Sequence, residues 1–169
     1  MENPVANEVV RQCIDRMAGN TPKIRKCLEL LTEEEVWHRP NASSNSVGNQ
    51  LLHLCGNITQ YILSSLAKTP DERQRDLEFS TQGGLTKGEL LDRLESTVSK
   101  AIAIMGNLDD DDLLRVRSVQ GYSYSAIGIM IHVVEHYSYH TGQIIFWTKQ
   151  LRDIDMGFYA GVDLNRKNE

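Results

Sequence analysis

The spacing of apolar residues along the chain is that of helices, with little two-residue alternation. Val10, Met17, Ile24 and Leu31 recur every seven residues with Cys13 and Cys27 interleaved, so one apolar stripe keeps register across Gly19-Asn20-Thr21-Pro22. The stripe predicts a helix over about 4–31, kinked near Pro22, which has no amide hydrogen to give; a break into two helices there is the alternative. Thr32 and Glu35 form a capping box for a short turn before Pro40, and the Asn/Ser-rich stretch 41–46 caps a second helix, over about 46–67, that Pro70 closes. A charged connector follows (Asp71, Glu72, Arg73, Arg75, Asp76, Glu78) and reads as a loop ending at Gly83-Gly84. Thr86 and Glu89 make another capping box, after which Leu90, Leu94, Val98, Ala101 and Met105 mark an amphipathic third helix to about 106. The acidic run Asp109 to Asp112 suits a short helical turn, because carboxylates favour a helix N-terminus, and residues 115–124 are expected to be extended or looped. The most apolar helix runs from Ser125 to about Gln150. Together these predict an all-α four-helix bundle with long inter-helix connections, one domain over 1–169.

Composition narrows what such a bundle does. Of 169 residues, 40% are hydrophobic and 24% charged, which excludes the signature of disorder. No apolar run approaches the ~18 residues of a membrane span, and Met1-Glu2-Asn3-Pro4 lacks the pattern of a secretory leader, so a soluble, cytoplasmic protein with no membrane partner is expected. A net charge of -5 without a Lys/Arg cluster argues against nucleic acid and leaves a small molecule as the expected partner. Cys13, Cys27 and Cys55 are odd in number and never paired as Cys-x-x-Cys, so reduced, buried thiols are expected rather than disulfides or a thiolate zinc site. Because the second helix is apolar over more than half its circumference and the fourth is similarly apolar, a homodimer is expected.

The fourth helix carries the candidate chemistry in His132, His136 and His140. On a helical wheel Ser138, Glu135 and Lys149 mark the solvent side, while His136 and His140 fall nearly opposite, with Ile129, Val133, Ile144 and Trp147. Imidazoles at i and i+4 can converge on one ion, or they can be buried histidines satisfied by hydrogen bonds. His132, about 40° from His136 and about 80° from His140, suits a supporting or boundary role, since three ligands from one helix strain a tetrahedral site. His53 is the candidate third ligand. It shares a polar arc with Ser46, Asn49, Gln50, Asn57 and Gln60, which either faces solvent or lines a cavity. Cys55 projects about 200° away from it, and His38 reads as a loop residue, exposed or packing.

Two runs, Asn45-Ser46-Val47-Gly48-Asn49-Gln50-Leu51-Leu52-His53-Leu54-Cys55-Gly56-Asn57 and His132-Val-Val-Glu-His136-Tyr-Ser-Tyr-His140-Thr-Gly142-Gln143-Ile144, resemble the two signature segments of the DinB/YfiT-like superfamily. The Arg73–Phe79 connector, the Leu-Thr-x-x-Glu-Leu-Leu start of the third helix and Gly157-Phe158-Tyr159 fit an uncharacterised subfamily of about this length. The resemblance implies a divalent-metal site held by His53, His136 and His140. It also implies kinship with bacillithiol- or mycothiol-dependent transferases and with hydrolases. Thr141 departs from the pattern, since many relatives have Arg there, so a substrate contact at that position is expected to differ.

Three imidazoles leave an ion a coordination position open, as catalytic sites do, and all-nitrogen ligation favours zinc or nickel. An ion so held acidifies a water or a thiol, which points to transfer of a low-molecular-weight thiol to an electrophile, with hydrolysis or non-catalytic metal binding as alternatives. Asn49, Asn57 and Gln143 are candidate catalytic residues, or else helix-to-helix hydrogen bonders. Arg73, Arg75 and Glu78 of the connector are candidates for covering the site, with the two arginines binding an anionic thiol, or else solvated charges.

Overall fold

The computed structural model describes residues 3–168; Met1 and Glu2, which enter the argument against a leader, lie outside them. Helix α1 (Pro4–Leu30) starts where the Asn3 side chain accepts from the amides of Val5 and Ala6. It runs through Pro22 as one helix, and the apolar stripe keeps its register: Cys13, Met17, Ile24 and Cys27 are all buried. Beside the proline, Tyr137 Oη and Thr21 Oγ1 are 2.9 Å apart, and Thr21 donates to the Met17 carbonyl at 2.9 Å. The missing amide is thus flanked by side-chain bonds that tie α1 to the last helix.

A capping box of Thr32 and Glu35 opens α2 (Glu33–Trp37), and one of Ser46 and Asn49 opens α3 (Val47–Ile58). The second long helix continues as a π-helical segment, Thr59–Ser64, and a final turn α4 (Ser65–Ala67), ended by Lys68 at φ 59°. After α5 (Arg75–Ser80) come α6 (Lys87–Gly106), capped by Thr86 and Glu89, and α7 (Asp110–Leu114), capped by Asp109. Strands β1 (Val116–Val119) and β2 (Tyr122–Ser125) pair antiparallel, turned by Gln120 and Gly121, both at positive φ. Ser125 caps α8 (Ala126–Arg152).

Four long helices make the bundle: α1 packs on α8 and α6, and α3 packs on α6 and α8. Their facing residues, among them Met17, Ile24, Leu51, Leu94, Ala101 and Val133, are buried in one core. This is the all-α bundle that the periodicity predicts. Among the described residues no helix is long and apolar enough to cross a membrane.

Two local expectations change and a third is made specific. The charged connector is not a loop throughout, because Arg75–Ser80 folds into α5 and buries Glu78 against α3. Residues 116–125 are extended, as a hairpin. On α8 the face most deeply buried is that of Tyr137, Thr141, Ile144 and Thr148, so His136 and His140 stand at its edge, half-buried, rather than at its centre. The reason lies in the two threonines. Each donates its hydroxyl to the carbonyl one turn back, Tyr137 and Ile144 respectively, and so enters the core with no unmet hydrogen.

Candidate metal centre

The site begins with helix geometry. His136 and His140, one turn apart on α8, lie with ring centroids 4.6 Å apart, and His53 of α3 reaches both, at 4.8 and 5.2 Å. One ligand atom from each of the three lies within 4.8 Å of the others, a grouping that could hold a metal ion. His53 is buried on the polar arc of α3, so that arc lines the α3–α8 seam and does not face solvent.

Each imidazole is set differently. His53 Nδ1 lies 2.8 Å from Glu78 Oε2. Burial opposes ionisation of Glu78, but bonds from Arg73 and His53 outweigh it and hold the carboxyl below its ordinary value. With Arg73 Nη2, 3.2 Å from the same nitrogen, donating to Glu78 Oε2 instead, an ionised carboxylate at that distance takes the hydrogen of a neutral ring on Nδ1, which leaves the Nε2 lone pair of His53 free. That Nε2 lies 3.0 Å from His136 Nε2. Two nitrogens bound tetrahedrally to zinc at about 2.05 Å stand about 3.3 Å apart, so the pair fits an ion with a shift of a few tenths of an ångström. Burial, then the neighbouring imidazoles and Arg73, pushes His136 down to about 3; burial, then His53, pushes His140 down to about 4 despite an opposing bond from Gln143. Both are therefore neutral at pH 7, the form that ligates. Their Nδ1 atoms are buried without hydrogen-bond partners among the described residues, whereas Nδ1 of His53 is braced by Glu78.

The brace is itself built in. Arg73 Nε donates to Glu78 Oε1 at 2.7 Å and Nη2 to Oε2 at 2.9 Å, a bidentate pair, while Nη1 donates to Gln60 Oε1 at 2.9 Å. Arg73 and Glu78 side chains are 4% and 9% exposed. Gly56, one turn beyond His53, makes room for them: a Cβ there would fall inside the Glu78 carboxylate. Asn49 anchors the far end of α5, its Nδ2 donating to the carbonyls of Glu78 at 2.9 Å and Thr81 at 2.7 Å, while its Oδ1 accepts from Arg39 and Ser46. Arg39 also donates to the Phe79 carbonyl. Phe79 closes one side, its ring 4.8 Å from that of His53.

The other candidates fall into place around this core. Asn49 has its hydrogen-bonding capacity taken up in holding α5, and Arg73 is committed to Glu78; Arg75 is exposed and lies over Phe79 at 4.8 Å. Asn57 Nδ2 is 3.4 Å from His132 Nε2, and its Oδ1 is buried without a partner among the described residues. Gln143 is half-buried beside His140. His132 is outside the ligand group; it stacks on Tyr61 of the π-helical segment at 4.3 Å and neighbours His136 at 5.8 Å. His38 is exposed and stacks on Trp147. Thr141 points into the core, with its hydroxyl on Tyr137. All three cysteines are free and buried, and burial pushes Cys55 up to about 11.

What the sequence reading misses is the specific role of Glu78. Gly56 is the available signal, since a glycine inside an otherwise apolar helix often marks a close approach, here by a carboxylate.

Comparison with known proteins follows the same lines. The chain is similar to the crystal structure of a DinB-like protein, YjoA, from Bacillus subtilis, with a TM-score of 0.65 at 13% identity over 85% of this chain and 94% of that one. A DinB-like protein from Bacillus cereus ATCC 10987 gives 0.63 at 17% identity over 79% and 87%, and a conserved protein from Enterococcus faecalis 0.64 at 15% over 91% and 99%. At these identities the likeness is one of fold. The search of curated proteins gives no match. The family described as "Protein of unknown function (DUF1572)" matches residues 4–160. The chain therefore belongs to the DUF1572 family and has the DinB-like fold.

Proposed function

We propose that this chain binds one divalent ion, zinc or nickel, through His53, His136 and His140, and transfers a low-molecular-weight thiol to a small electrophilic substrate. The observation that carries the reading is the convergence of three imidazoles, two of their Nε2 atoms 3.0 Å apart, with no carboxylate or thiolate in the group. Three neutral ligands leave room for an exogenous one, and the ion, when bound, supplies the charge that makes a weak nucleophile acidic at neutral pH.

The chain's own residues do the rest. Glu78 fixes the tautomer of His53, burial keeps His136 and His140 unprotonated, and Asn57 and Gln143 flank the imidazoles as polar groups for a substrate. No cysteine belongs to the ligand group, so the thiol comes from solution. Buried, unpaired cysteines accord with the reducing cytoplasm, where such thiols are kept reduced.

The test is turnover of an electrophilic probe, 1-chloro-2,4-dinitrobenzene, by metal-loaded chain with and without added thiol, the metal-free chain serving as control. Thiol-dependent, metal-dependent turnover that persists when Cys13, Cys27 and Cys55 are replaced by Ala or Ser supports the reading. Failure of that probe with every thiol tried, beside metal-dependent cleavage of an ester without thiol, would make the protein a hydrolase instead. No turnover of either kind with the ion in place would leave a metal-binding protein.

A homodimer is part of the same proposal. The apolar circumference of α3 is used within the bundle, but Ile131, Tyr139 and Phe146 are exposed along one side of α8, with Gly142 between them. Sedimentation equilibrium at micromolar concentration should give twice the 19.1 kDa chain mass, and Phe146→Glu should return it to one. A wild-type monomer would contradict this part.

A further inference from the structure

A concavity lies beside the metal centre, sharing Arg73 and Glu78 with it. Its volume is about 570 Å³, within the ~300–1,000 Å³ of small-molecule pockets, and it is walled by α3, the connector, α5 and α6. The histidines do not line it. Its lining includes Arg73 and Glu78 of the brace, the apolar Leu52, Leu77 and Leu85, and Arg93 of α6.

Two features of its lining suit a ligand. Leu77, on the six-residue α5, is 56% exposed, so its side chain offers an apolar surface to the cleft. The Arg93 guanidinium is exposed and makes no ion pair or hydrogen bond among the described residues, whereas Arg73 in the same wall is saturated by Glu78 and Gln60. Of the two carboxylates that border the cleft, Glu78 is neutralised by Arg73, and Glu72 is exposed to solvent, where water screens its field. One uncompensated cation beside an apolar surface matches one anion on an apolar body.

We propose that this cleft is a binding site for a small amphipathic carboxylate, its apolar body against Leu52, Leu77 and Leu85 and its carboxylate on Arg93. The site is separate from the metal centre, and the proposal does not depend on the reaction assigned to that centre.

Octanoate and octanol serve as probes, titrated into the full chain by calorimetry or by amide NMR shifts. Octanoate should bind saturably and perturb residues of α5 and α6, and Arg93→Gln should weaken it about 5- to 10-fold while moving octanol by less than about 2-fold, the range for loss of one charge-assisted contact. Leu77→Glu, at an exposed position that folding does not need, should weaken both. Neither variant touches a histidine, so metal content measured on the same samples should stay at the wild-type level. Octanoate binding that survives both substitutions, octanol binding as strongly as octanoate, or no saturable binding by wild type would overturn the proposal.

Discussion

Purified without a histidine tag and loaded with zinc or nickel, the wild-type chain should carry one ion per molecule, and the His53→Ala and His136→Ala proteins should each lose it. Each substitution removes one of the two Nε2 atoms that face each other at 3.0 Å. Two remaining imidazoles do not hold a divalent ion at a site with no ligating carboxylate or thiolate, so the loss should exceed the ~10- to 100-fold that removal of an outer partner causes. His132→Ala should retain its ion, with affinity lower by ~10-fold or more, because His132 meets the site through Asn57 and the His136 ring. Elemental analysis of the three variants, beside circular dichroism to confirm folding, decides. Full metal occupancy in both His53→Ala and His136→Ala, or complete loss in His132→Ala, would require a different ligand set.

The second large effect falls on Glu78. Glu78→Ala leaves Arg73 as a nearly buried cation without its partner and His53 without an acceptor for Nδ1–H, an arrangement that should cost about 3–5 kcal/mol of stability. Glu78→Gln keeps the shape and can still accept from His53, but its amide does not neutralise Arg73. Pairing it with Arg73→Met removes the buried charge altogether and should recover much of the stability, since a buried ion pair replaced by neutral groups is often tolerated. Metal affinity should stay depressed about 10- to 100-fold in that double variant, because the carboxylate that polarised His53 is gone. Denaturant melts and metal titrations of the single and double variants separate the two roles. Recovery of metal affinity together with stability would show that Glu78 acts only as structural filler.

The bundle was legible because its determinants are local. The capping boxes at Thr32, Ser46 and Thr86 mark helix starts, and the stripe through Met17 and Ile24 carries the first helix across Pro22. The pair His136 and His140 was legible for the same reason, one helical turn being a fixed rotation. His53 was ambiguous, since a polar arc looks the same whether it faces water or a seam between helices; only the packing of α3 on α8 and α5 tells them apart. Glu78 was hidden among charges that the connector exposes. Its burial depends on tertiary anchors from Asn49 and Arg39, which no spacing rule records. The fourth helix misled in detail because Ile131, Tyr139 and Phe146 widen its apolar arc toward solvent, while buried threonines at 141 and 148 narrow it toward the core.

The central claim is that three imidazoles from two helices share one ion. X-ray absorption at the metal edge of the nickel- or zinc-loaded chain, prepared free of added thiol, tests it most directly. The account predicts one ion per chain, a first shell of nitrogen and oxygen only, at about 2.0–2.1 Å for zinc, and outer-shell scattering that fits three imidazoles. Sulfur at about 2.3 Å, fewer than three imidazoles, or an ion well below stoichiometry would contradict it.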